Sequence, residues 1–550
     1  MYDTTIADLI RRRQADNNIA LYSGEQSWTH QQMLELYAQR AAYILDHRQS
    51  GPFHVGILLE NVPEYPMWLG ACGISGAGMI ALNPTRRGKD LERDIRHTNC
   101  QYIITEEKFR DSLIGLDLGI EDNRVHIIES DDYSQALEPY RGADLPNVAI
   151  EASDIFCMMF TSGTTGAPKA CVCSQGRYSA AAIRVTSSNG LDQQDIHYVA
   201  MPLYHGNSVI IGYLPTLVTG GAVVLRRKFS ASGFLPDIRR YGATFFNYVG
   251  KPLAYILATP ALSDDTDNTL TKVAGNEAAE LDIQNFARRF NCVVNDNYGS
   301  SEGCVAVMRT TDMPPGALGK GTSESIRVLD PETGEEKPRA IFDTQRNLLN
   351  ADEAIGELVN TEGGKLFEGY WNNDEANQKR IKNGIYWSGD LAYKDDSDFL
   401  YFAGRDDEWM RVDGENIAAA QVETVLFRHP DVVLAAVYAV PDPVVGDQIM
   451  AALQLKDGIV FNSKSFIDFI DTQGDFGSKW LPKFIRISNA LPITHTVKVL
   501  KRPLRQERWQ SGDDTWLWTG NAYQLMDDLD KDKVTEEFSE RGRAHVLTLL

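Results

Sequence analysis

No run of this sequence is apolar for long enough to read as a membrane span. The most apolar stretch, residues 208–225, is interrupted by Pro215, Thr219 and the pair Gly220-Gly221, and reads as a helix followed by a strand inside a core. Residues 1–13 carry an acidic residue early and have no apolar central segment, so no secretory signal is expected. Cysteine is sparse: the seven, Cys72, Cys100, Cys157, Cys171, Cys173, Cys292 and Cys304, are odd in number and lack zinc-ligand spacing. Cys171 and Cys173 alternate along an expected strand, the pattern of buried free thiols, which points to a reducing compartment and a cytoplasmic location. Positive charge is also deficient, with 54 Lys and Arg against 76 Asp and Glu, a formal net charge of −22. That field excludes non-specific binding to nucleic acid or to anionic membrane. A polyanionic ligand would need local clusters of Lys and Arg, which makes the few basic residues inside motifs informative.

What is present suffices for more than one core, because 550 residues exceed what a single core supports and at least two domains are expected. Hydrophobic residues make up 43% and charged residues 24%, the balance of a soluble globular enzyme. Leu34, Tyr37, Ala41 and Leu45 share one face of an expected helix over 31–46, followed by a strand over 54–59. Gly70, Gly73, Gly76 and Gly78 do not follow the GxGxxG order of a dinucleotide site and read as positions of close helix packing. A helix over 93–99 and a strand over 101–105 continue the alternation, which predicts an α/β fold with largely parallel sheets.

The chain is organised around Phe160-Thr161-Ser162-Gly163-Thr164-Thr165-Gly166-Ala167-Pro168-Lys169, after the apolar strand pattern of 155–160 and before the helical pattern of 179–183. Two glycines, four hydroxyls and a lysine can wrap backbone N–H groups and further donors around phosphate oxygens. It is not a Walker loop, since Pro168 stands where that pattern needs glycine and Ala170 follows the lysine. The string resembles the phosphate loop of the AMP-forming adenylating enzymes, which include acyl-CoA synthetases, luciferases and peptide-synthetase adenylation domains. Ala170 replaces that family's usual glycine, as in its fatty-acid transport protein relatives. The segments 228–232, 241–248 and Val273-Ala274-Gly275-Asn276-Glu277-Ala278 resemble the same fatty-acid transport protein and very-long-chain acyl-CoA synthetase branch.

The resemblance implies a large N-terminal domain, residues 1–404, with parallel-rich sheets and a β-barrel-like part, binding ATP and the acyl group. It also implies a small mobile C-terminal α/β lid over 405–550. It puts Thr161, Ser162, Gly163, Thr164, Thr165, Gly166 and Lys169 on the phosphates, and Gly275, Asn276 and Glu277 between adenine and acyl channel. In Asn297-Tyr298-Gly299-Ser300-Ser301-Glu302-Gly303 it assigns Tyr298 to stacking on adenine, Ser301 to the phosphate or carboxylate region, and Glu302, with Thr164, to magnesium. Mg²⁺ bound with ATP takes few protein carboxylates, so one glutamate on a Gly-bounded turn suffices. Asp390 and Arg405, expected at facing ends of a hairpin turning at 395–398, suit a ribose and a phosphate or sugar oxygen. Asp398 replaces the glycine the family has after that turn.

His205, in Met201-Pro202-Leu203-Tyr204-His205-Gly206-Asn207, is either structural or part of the acyl and CoA wall. Arg226-Arg227-Lys228 is either a solvated strand end or a CoA phosphate contact. Asp407 matches the family's hinge and Gly414 the passage of the pantetheine arm. A helix over 418–427 and a strand over 432–440 open the lid. Lys498 matches the catalytic lysine, with Lys501 as the competing position and Val497 in place of a usual glycine.

The implied reaction is ATP-dependent acyl-CoA ligation: a carboxylate and ATP give acyl-AMP and pyrophosphate, then CoA gives acyl-CoA and AMP. Cofactors and partners are ATP, Mg²⁺, coenzyme A and a hydrophobic carboxylic acid, without nucleic acid or a transmembrane segment; a homodimer is compatible. Small residues at Gly212, Gly275 and Ala278 suit a roomy acyl channel. Transfer to a carrier protein, or a non-catalytic lipid-binding relative, are the alternatives. The tail after Arg505, with Trp509, Trp516 and Trp518, suggests no function.

Overall fold

The computed structural model describes residues 4–547 apart from 162–168, 279, 311, 345–347, 406–408, 413–414, 445–446, 474–475, 477–478, 494–498, 542 and 545–546. The chain divides into two compact units, one of residues 1–309 with 364–382, the other of 310–363 with 383–550.

The first unit holds two parallel-rich sheets. The seven-stranded sheet runs Val293–Asp296, Lys272–Asn276, Phe245–Val249, Ile196–Val199, Ala222–Leu225, Ile19–Ser23 and Gln26–Thr29, with only the last pair antiparallel. The six-stranded sheet runs Val125–Ile127, Cys100–Thr105, His54–Leu58, Gly78–Ala81, Ile155–Thr161 and Lys169–Ser174, again antiparallel only at the last pair. Strands covered on both faces need continuous apolar sequence, and the fully buried Cys157, Met158 and Phe156 meet that need.

The helix expected over 31–46 forms as His30–Asp46, because Thr29 and Gln32 close a capping box at its start and the Leu34, Tyr37 and Ala41 stripe is buried. The glycine series works as close packing at Gly70, where an added Cβ would meet the Tyr37 ring at 2.5 Å. Gly76, at φ +75°, instead ends the helix Glu64–Ser75 in the left-handed conformation that a Cβ disfavours. Arg226-Arg227-Lys228 is more than a solvated strand end: Arg226 pairs with Asp237 at 2.9 Å, and Arg227 binds Glu106, whose side chain is fully buried. All seven cysteines are free, and six are buried. Among the described residues no helix is long and apolar enough to cross a membrane.

The second unit contains an antiparallel array in the order Gly319–Gly321, Phe399–Arg405, Ile385–Lys394, Gly356–Asn360 and Ile326–Leu329. Its other sheet runs Val432–Pro441, Asp447–Leu455, Phe484–Ile487, Asp514–Trp518 and Tyr523–Leu525. The expected helix and strand after 417 are present as Ala419–Leu426 and Val432–Pro441. The tail acquires a structural reason: Trp509 is buried, with its ring 5.0 Å from Phe484 and 5.8 Å from Phe538 of the closing helix Asp528–Glu540.

Candidate active site

The strands Ile155–Thr161 and Lys169–Ser174 form a hairpin in which Thr161 faces Lys169, so these two residues mark the ends of the glycine- and hydroxyl-rich loop. Ser162, Gly163, Thr164, Thr165 and Gly166 lie outside the described residues. Alongside this hairpin runs the segment 369–371, joined to it by Val172 N–H to the Gly369 carbonyl at 3.0 Å and Trp371 N–H to the Ala170 carbonyl at 2.9 Å. Tyr370 is thereby carried under Lys169, whose Nζ stands 5.4 Å from the centre of its ring. The Tyr370 hydroxyl donates to Glu302 Oε1 at 2.6 Å, and Arg380 Nε donates to the same hydroxyl at 3.3 Å. Burial first, and then the neighbouring Glu302 charge, push the Tyr370 hydroxyl's pKa well up, so it stays a donor.

The turn bearing Glu302 is held from behind by Arg177, in the first turn of the helix Gln175–Ser188. Its guanidinium donates to the carbonyls of Ser301 at 3.1 Å, Glu302 at 2.5 Å and Val172 at 2.5 Å, and pairs with Glu368 at 2.9 Å. Glu368 in turn accepts from the Ser174 N–H at 2.8 Å and its hydroxyl at 2.5 Å. Gly303, at φ +67°, lets the guanidinium approach, since an added Cβ would lie 2.9 Å from Arg177. Ser300 Oγ is buried without a hydrogen-bond partner among the described residues, and no hydrogen bond to Glu302 Oε2 is found among them.

Two of the remaining expected residues of this unit, Asn276 and Asn297, are joined through a chain of side-chain amides. Asn247 Nδ2 donates to Asn207 Oδ1 at 2.9 Å, Asn207 Nδ2 donates to Asn276 Oδ1 at 2.8 Å, and Asn276 Nδ2 donates to the Asn297 carbonyl. Asn207 closes the segment of His205, which is half-buried with its ring 4.4 Å from Tyr204. Glu277 is exposed at φ +69°. Tyr298-Gly299 forms a short strand, with Tyr298 opposite Val307. Asp296 Oδ2 accepts from the Tyr248 hydroxyl at 2.5 Å and the Ala278 N–H at 2.9 Å. Burial lifts the Asp296 carboxyl to about 6, outweighing those hydrogen bonds and Arg309, while Glu277 pushes the same way as burial. Of the small residues Gly212, Gly275 and Ala278, expected to suit a roomy channel, the two glycines stand in close contact with neighbours on the side a Cβ would take. An added Cβ at Gly212 would meet Asn247 Oδ1 at 2.8 Å, and one at Gly275 would strike the Tyr248 carbonyl, so these glycines permit close packing.

In the second unit, Asp390 and Arg405 are directly opposed across the hairpin Ile385–Lys394 and Phe399–Arg405, as the turn spacing predicts. Asp398 adopts φ +66°, the conformation glycine would take most easily, and sits 3.0 Å from Arg339. The Arg405 side chain, Asp407, Gly414, Val497 and Lys498 lie outside the described residues. Lys501 pairs with Glu423 at 2.9 Å.

Sequence reasoning missed Arg177, Glu368, Tyr370, Asn247 and Asp296. The only local signals were an arginine in the first turn of a buried helix and the Glu368-Gly369-Tyr370 string.

The sequence profile of AMP-binding enzymes matches residues 10–371, and that of their C-terminal domain matches residues 421–498. The chain is 45% identical to the steroid-22-oyl-CoA synthetase of Rhodococcus jostii over 99% of both chains. It is also 45% identical to the medium/long-chain-fatty-acid–CoA ligase FadD17 of Mycobacterium marinum, covering 84% of this chain and 88% of that one. The fold matches ATP-bound MatB from Rhodopseudomonas palustris with a TM-score of 0.80 at 21% identity, over 92% of this chain and 99% of the other. With the profile spanning most of its length and full-length similarity of this degree, the chain belongs to the AMP-binding enzyme family.

Proposed function

We propose that the protein is an ATP-dependent acyl-CoA ligase acting on a bulky hydrophobic acid, of the fatty-acid or steroid side-chain class. The observation that carries this reading is full-length similarity to a CoA synthetase, in a chain that gathers Lys169, Tyr370 and Glu302 at the ends of a phosphate-loop hairpin. The acyl carboxylate attacks the α-phosphorus of ATP, the bond to pyrophosphate breaks, and the CoA thiol then displaces AMP from the acyl carbon. CoA is favoured over a carrier protein because the relatives at 45% identity are named CoA synthetases and ligases.

The residues fit a magnesium ion held largely by the nucleotide. Among the described residues no cluster of three or more His, Cys, Asp or Glu is arranged to hold a metal alone. Glu302, with Oε1 taken by Tyr370, has Oε2 to offer, and Thr164 is the second proposed ligand. When bound, the metal neutralises phosphate charge. Thr161, Ser162, Gly163, Thr165, Gly166 and Lys169 hold the phosphate oxygens. Gly275, Asn276, Glu277, Asn297, Tyr298, Gly299, Ser300 and Ser301 receive the adenine and the α-phosphate side. Asp390 accepts from ribose hydroxyls and Arg405 binds beside it. Lys498 bridges carboxylate and phosphate in the first step, stabilising charge as it shifts. It has to withdraw before the thiol arrives, so residues 405–550 act as a lid turning about Asp407, with Gly414 lining the pantetheine path and His205 at the acyl and CoA wall. That 404/405 boundary marks a moving part, and it differs from the division into compact packing units. Free thiols fit a reducing cytoplasm, and a homodimer is testable by light scattering.

The test is pyrophosphate release across a panel of carboxylic acids, with CoA or carrier protein as acceptor. Lys498→Ala is expected to lower acyl-AMP formation by about 10²–10³-fold or more while ATP binding stays measurable. Unchanged turnover refutes the lysine's role, and thioester formed only on carrier protein refutes the ligase reading.

A further inference from the structure

Tyr370 touches two groups that come from distant parts of the chain and both belong to the proposed triphosphate site. Its hydroxyl donates to Glu302 Oε1 at 2.6 Å, and the face of its ring lies 5.4 Å from Lys169 Nζ. The side chain has little freedom to do otherwise. It is 2% exposed, its backbone bridges Cys171, Asn377 Oδ1 accepts from its N–H at 2.7 Å, and the Phe367 ring stands edge-on at 5.3 Å. Glu302 is 6% exposed and depends on such neighbours for its orientation.

A carboxylate offers two equivalent oxygens, whereas Mg²⁺ needs near-octahedral, short, single-oxygen contacts. A donor fixed on one oxygen removes the choice and presents the other. Outer partners of this kind typically change metal affinity by about 10–100-fold when they are lost. We propose that Tyr370 is a positioning residue that commits Glu302 Oε1 to its hydroxyl and leaves Oε2 as the single oxygen facing a nucleotide-bound divalent cation. The ring does a separate job, supporting the Lys169 ammonium at the end of the phosphate loop. This rests on the reading of Glu302 as the metal-facing carboxylate.

The experiment compares Tyr370→Phe, Glu302→Gln and the double variant in the full-length protein. Two readouts are used: the Mg²⁺ concentration giving half-maximal ATP–pyrophosphate exchange, and calorimetric binding of ATP with Mn²⁺ against ATP with EDTA. Tyr370→Phe keeps the ring and is expected to raise the half-saturating Mg²⁺ about tenfold. It should weaken Mn²⁺-dependent binding comparably, with metal-free ATP binding little moved. The double variant should be no worse than Glu302→Gln alone. Tyr370→Leu, which also removes the ring, should in addition weaken metal-free ATP binding.

A Tyr370→Phe enzyme with wild-type metal dependence, beside a Glu302→Gln enzyme that has lost it, overturns the inference and leaves the reading of Glu302 standing. Additive effects in the double variant overturn it too, since Tyr370 would then act independently of Glu302. A Glu302→Gln enzyme with unaltered metal dependence overturns both.

Discussion

The Glu302 corner and the Asp390 hairpin are built in opposite ways. Glu302 is oriented by Tyr370, 68 residues further on, and its carbonyl is held by Arg177, 125 residues earlier. Asp390 faces Arg405 because two consecutive strands turn at Asp395–Asp398, where Asp395 Oδ1 accepts from the Ser397 and Phe399 N–H groups at 2.9 Å. A site made of long-range side-chain contacts fails when one buried partner is removed. A site made by local register tolerates changes in the turn that sets it.

The sharpest way to break this contrast is Arg177→Met. It leaves Glu368 without its cation and strips donors from three carbonyls. Loss of one partner of a buried pair costs about 3–5 kcal/mol, read as a fall in unfolding free energy by denaturant titration. A loss below about 1 kcal/mol would show that the corner is not held from behind.

A smaller effect is expected at Asp296, in the same unit. Its carboxyl, raised from 3.8 to about 6, binds its proton more tightly in the folded chain than in the unfolded one. Its contribution to stability is therefore fully present below the unfolded value and is lost as pH rises through about 6. Asp296→Asn should flatten the stability profile between these limits by a magnitude of about 3 kcal/mol. Asp94, raised to about 6 by burial despite Arg86 and Arg93, leaves a residual slope. Unfolding midpoints of both proteins at a series of pH values check this, and identical slopes would contradict it.

The smallest effect belongs to the hairpin. Asp398→Gly relieves the left-handed backbone at φ +66° and removes ion pairs at 3.0 Å to Arg339 and 3.6 Å to Lys394. Exposed pairs contribute about 0–1 kcal/mol, and the strain is of the same size, so the net change should stay within about 1 kcal/mol. ATP affinity should be retained. A change larger than that of Arg177→Met would reverse the comparison.

Periodicity made the helix His30–Asp46 readable to within a residue of its start, and continuous apolar runs marked the parallel strands. Among candidate site residues, those in compact strings were readable as strings: the loop ending at Lys169, the segment through Glu302, and the Asp390 hairpin. The close contacts at Gly212 and Gly275 were not readable, because a glycine in a sequence looks the same whether it lines a channel or admits a neighbour's carbonyl. Arg177 and Tyr370 gave only weak local signals, since an arginine in a helix and a tyrosine after glycine are ordinary until their partners are known.

The sequence alone determined the alternation of strand and helix, the order of the motifs, the free thiols, and which residue faces Asp390. The alternation and the Asp390 pairing follow from spacing within some twenty residues, where local geometry dictates which side chains meet. Only the tertiary structure decided what stands behind Glu302 and beneath Lys169. Those contacts join segments far apart in the chain, and they form because two sheets and the returning segment 364–382 pack into one unit. Packing of that kind depends on the burial of whole surfaces, and no single stretch of sequence records it.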